Sequence, residues 1–81
     1  MTLKEQILSE LQTQDEIAQA KIKELDENIR AETFAMSTVT GGAFAGTARN
    51  ACQSRIQAAT SKKNMIVQQN SWIREMLSKY R

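Results

Sequence analysis

The chain has 81 residues, 11 of them basic and 9 acidic, with no histidine, no proline and one cysteine. That composition allows a single domain, 1–81. It excludes an internal disulfide, a metal site of the histidine or paired-cysteine kind and acid–base catalysis through histidine.

Charge is segregated rather than large. Residues 1–40 hold eight acids and four bases, a net of −4, while residues 41–81 hold one acid and seven bases, a net of +6. This layout predicts an acidic helix folding back on a basic one, or the same two helices paired between chains.

The first element opens with Thr2-Leu3-Lys4-Glu5, the spacing of a capping box, in which a hydroxyl caps the helix and a glutamate reaches back. Leu8, Leu11, Ala18, Ile22, Leu25, Ile29 and Met36 then recur at steps of three and four or their sums, which draws one stripe along a helix. A helix over about 3–36 follows. Asp26 and Arg30 stand four apart in the acid-before-base order that supports such a helix.

Ser37 to Gly42 breaks the pattern, because paired glycines and β-branched residues are poor helix formers. Phe34 and Phe44 flank this break and are placed to close over the turn. Thr40 or Thr47 is the expected cap of the next helix.

The second helix is expected over about 44–80. Its main row is Cys52, Ile56, Ala59, Ile66, Ile73, Leu77 and Tyr80, with Lys63 and Asn70 filling the same spacing. Ala51, Ala58, Met65 and Trp72 form another row, each one residue before a member of the first. Neighbouring residues project about 100° apart on a helix. The combined apolar face is therefore wider than one partner helix covers. The second row, with Met76, is expected to meet another subunit. Small residues crowd the turn-proximal half of this helix and large ones its far end.

Other features have ordinary readings. Cys52, on the main row, is expected to be a small buried core residue. Asp15, Glu32, Lys63 and Asn70 lie on inward stripes, where polar groups fix register and oligomer state. In a hairpin turning near Gly41, Glu32 falls near Arg49 and Asp15 near Lys63. Gly41 to Thr47 lacks the lysine of the phosphate-binding G-x-x-x-x-G-K-[ST] loop. Arg49, Arg55, Lys62 and Lys63 are candidate anion contacts, but their spacing does not put all four on one helix face.

The fold class read from the sequence is all-α: an antiparallel two-helix hairpin associating into an oligomeric helical bundle. The expected function is non-catalytic protein–protein interaction, as a small assembly component, adaptor or inhibitor. The expected partners are a second copy of the chain and another protein. The alternative is an anion binder, for nucleic acid or a nucleotide-like ligand, using the bases of the second helix in an oligomer groove. No enzyme activity, cofactor, metal or membrane partner is expected. The expected location is cytoplasmic, since Met1 to Leu11 lacks the apolar core of a signal peptide.

Overall fold

The structure, a computed structural model, describes residues 2–39 and 41–80. Two helices make up the fold: α1, Leu3–Thr38, and α2, Ala45–Tyr80, packed against each other as a hairpin. The molecule measures 64 × 15 × 13 Å. A single continuous helix would extend about 120 Å, so the chain does reverse at the glycines. No helix is long and apolar enough to cross a membrane, among the described residues.

The start of α1 follows from its cap. The Glu5 backbone N–H donates to Thr2 Oγ1 at 3.2 Å, and the Thr2 hydroxyl donates to Glu5 Oε1 at 3.2 Å. The glutamate thus returns to the cap through the threonine hydroxyl.

The end of α1 differs from the expectation. The helix runs to Thr38 rather than 36. The hydroxyls of Ser37 and Thr38 donate to the Phe34 and Ala35 carbonyls at 2.7 and 2.8 Å. These bonds satisfy acceptors that a helix end otherwise leaves open, which offsets the weak propensity of the residues themselves.

The reversal is made at Gly42, whose φ of +104° lies in the region glycine occupies without steric cost. The Ala45 N–H donates to the Gly42 carbonyl, and the Ala48 N–H donates to the Phe44 carbonyl. α2 therefore begins at Ala45, one residue later than expected, and Thr47 lies inside its first turn instead of capping it. Thr40, the other expected cap, lies outside the described residues. Phe34 and Phe44 do not close over the turn: both are exposed.

Moving the reversal towards Ala43 shifts the register. Asp26 pairs with Lys63 at 2.6 Å and Asp15 with Arg74 at 3.2 Å. Both pairs have residue numbers summing to 89. Glu32 pairs with Arg55 at 2.7 Å rather than with Arg49. Asp15 therefore misses Lys63, and Asp26 reaches across the hairpin to Lys63. The expected pairings assumed a turn centred on Gly41, which would place every partner nearer the turn.

The core lies along the facing stripes. Leu25, Cys52 and Leu77 are buried, with Asn70 among them. Leu8, Leu11, Ala18, Ile22, Ile29 and Met36 from α1 are half-buried, as are Ile56, Ala59, Ile66, Ile73 and Tyr80 from α2. The main row of α2 is thus the one that α1 covers. Cys52 is a free, buried thiol.

Candidate functional site

α1 does not cover the other row of α2. Trp72 is 59% exposed and Met65 61%, and Ala51 and Ala58 are exposed as well. Met76 is half-buried, at the margin between the rows. The cause is angular: a residue one position before a core position points about 100° away from it.

A groove runs between the helices. Its volume is about 190 Å³, and it is lined by Gln14, Ile17, Ala18 and Lys21 from α1 and by Ile66, Gln69, Asn70 and Ile73 from α2. Met65, Gln69, Trp72 and Met76 follow at steps of four, three and four, so they share the face of α2 that carries Gln69. Ile17 is 58% exposed on the opposite bank. By the register of the ion pairs, Ile17 stands level with Trp72. The result is an apolar strip formed by both helices and facing water.

The α1 bank was not identified from the sequence. A signal was present: Ile7 and Ile17 each precede a member of the α1 stripe, Leu8 and Ala18, by one residue. That is the same relation that marks the exposed row of α2. Glu10 and Gln14, which stand between Ile7 and Ile17 on the same face, dilute it.

Asn70 lines the groove and a second one on the other face of the hairpin, beside Gln19, Ile22, Val67, Ser71 and Arg74. The residue is 4% exposed, and its Oδ1 is buried without a hydrogen-bond partner. A buried amide oxygen left unpaired costs about 1–3 kcal/mol.

The candidate anion contacts do not converge. The Arg49 guanidinium donates to the Val39 carbonyl at 2.6 Å. The Arg55 Nε–H donates to Glu32 Oε1 at 2.7 Å, and Arg55 Nη2 lies 3.5 Å from Cys52 Sγ. Lys63 is held by Asp26, and Lys62 is exposed. The hydrogen bond from Arg55 holds the Glu32 carboxyl below its ordinary value of 4.5, and the same bond raises the guanidinium. Arg49, Arg55 and Lys63 are thus bonded within the hairpin. Among the described residues, no group of three or more histidine, cysteine or acidic side chains could hold a metal ion.

Comparison with known proteins gives no match: no family model, no curated protein and no solved structure is significantly similar to this chain.

Proposed function

We propose that the protein is a non-catalytic protein–protein interaction protein, a small assembly component, adaptor or inhibitor that works as a helical homo-oligomer. The observation that carries this reading is the apolar strip of Ile17, Met65 and Trp72, which the hairpin leaves in water. Exposed apolar patches of this kind mark interaction surfaces, and tryptophan and methionine are enriched in interface cores.

Surface area supports the same reading. A compact chain of 9.1 kDa exposes about 4,900 Å². The hairpin exposes 6068 Å², roughly 1,200 Å² more than that scaling. A standard protein interface covers about 800 Å² on each partner, so one interface would cover about two thirds of the excess. Stability argues in the same direction. Among the described residues three apolar side chains are buried, a thin core for two helices of 36 residues, and ordering each residue costs about 1–2 kcal/mol.

The anion-binding alternative has less support, because Arg49, Arg55 and Lys63 are already bonded within the chain. A cytoplasmic setting belongs to the proposal, and the buried free thiol of Cys52 is compatible with it.

Sedimentation across nanomolar to micromolar concentration tests the reading. A concentration-dependent shift from monomer to oligomer is expected. A monomer at every concentration would overturn self-association.

A further inference from the structure

The strip and the groove beside it have complementary chemistry. Trp72 is the only tryptophan in the chain, and its ring stands in water. Its indole N–H is a donor with no acceptor capacity and needs a partner once buried. Asn70 Oδ1 is an acceptor, already buried and lacking a donor. Within one chain the two side chains are two residues apart on a helix, a spacing that turns them to different faces. A second copy removes that obstacle.

We infer that the groove around Asn70 receives Trp72 of a second copy, with the indole N–H donating to Asn70 Oδ1, in a two-fold dimer whose turns lie at the same end. This inference rests on the self-association proposed above and specifies how it is built.

Two symmetric ways exist to lay one hairpin on the same face of another. With the two-fold axis along the hairpin, equal residues come to equal levels, and α2 of each copy lies over α1 of the other. The groove is lined by residues 66–73 of α2 and 14–21 of α1, so Trp72 arrives over it, level with the partner's Ile17. Both copies do this at once, which satisfies the self-complementarity of a two-fold interface. Lys62 arrives within a turn of the partner's Glu24, which stands seven residues from Ile17 on the same helix face. The −4 half of one chain then faces the +6 half of the other.

With the axis across the hairpin, α2 lies on α2. Like charge then meets like charge, and such juxtaposition disfavours a pairing. Bringing Trp72 to the groove would also require the copies to slide until only their terminal halves overlap, leaving much of the excess surface uncovered.

The experiment is a double-mutant cycle on the full chain, with Trp72→Phe and Asn70→Leu, read by sedimentation equilibrium. Trp72→Phe keeps a ring and removes the N–H. Asn70→Leu removes the acceptor. Each is expected to weaken the dimer by roughly tenfold, the scale of one hydrogen bond, and the double variant should be little weaker than either single one. In the Asn70→Leu hairpin the unpaired oxygen is gone, so the thermal midpoint at concentrations below association should rise while association falls. Trp72 emission in the natural chain should shift to the blue as concentration increases. A dimer that forms with unshifted emission, or whose dissociation constant is untouched by both substitutions, overturns this inference and leaves self-association standing. A chain that stays monomeric overturns both.

Discussion

The two rows of α2 differ by one residue in position and little in composition, and they meet opposite fates. Ile66, Ile73 and Leu77 lie against α1, while Met65 and Trp72 lie in water. Hydrophobicity alone does not decide burial. One helix covers an arc of its neighbour, and a row about 100° away falls outside it. The covered row holds the hairpin together. The uncovered row is surface that the hairpin cannot hide by itself.

The largest expected effect separates the rows by truncation. Leu77→Ala in the covered row should destabilise the hairpin by about 2–5 kcal/mol, the range for buried leucines. Trp72→Ala should change the stability of the isolated hairpin by less than about 0.5 kcal/mol, as for exposed sites, while weakening association by about 2 kcal/mol or more, as for an interface anchor. Urea unfolding followed by circular dichroism, at concentrations below and above association, measures both. Equal losses from the two substitutions in the monomer would erase the distinction between the rows.

A smaller effect concerns the reversal that selects which row is covered. Gly42→Ala should cost about 1–2 kcal/mol, because its φ of +104° strains any residue with a Cβ. Space is not the issue, since a Cβ there meets nothing within 4 Å. Gly46→Ala makes the control: it lies in α2, also with open space, and should stabilise by about 0.5–1 kcal/mol. Thermal melts of the two variants should move in opposite directions.

The rows of α2 and the stripe of α1 were legible in the sequence because helical periodicity writes them directly as steps of three and four. The hairpin was legible from Gly41-Gly42 and the charge reversal. Register was not. It depends on where α1 stops, and hydroxyl-to-carbonyl bonds from Ser37 and Thr38 moved that point by two residues. Glu32 found Arg55, six residues beyond the expected Arg49. The polar nature of Asp15, Glu32, Lys63 and Asn70 on inward stripes was visible, but their pairings were set by that same register. The groove beside Asn70 needed both helices in place, since neither α1 nor α2 alone encodes which residues stand level.

The smallest expected effect lies at the edge of the covered row, where Glu32 and Arg55 bridge the helices at 2.7 Å. The Arg55 hydrogen bond depresses the Glu32 carboxyl below its ordinary 4.5, so the folded state binds this proton less readily than the unfolded chain does. Stability from the pair is therefore fully present above about pH 4.5. It declines as pH falls through the lowered folded value and is absent once the carboxyl is protonated in both states. Arg55 stays charged throughout this window, and its raised value adds no pH dependence there. Glu32→Gln keeps an oxygen that can accept from Arg55 and removes the titration. The difference in thermal midpoint between the natural chain and this variant should be constant at neutral pH and shrink as pH falls below about 4.5. Both side chains contact water, so screening keeps the difference small, and added salt should reduce it further. A difference that does not change with pH would mean that the bond from Arg55 persists without the charge, leaving shape rather than electrostatics to align the edge of the covered row.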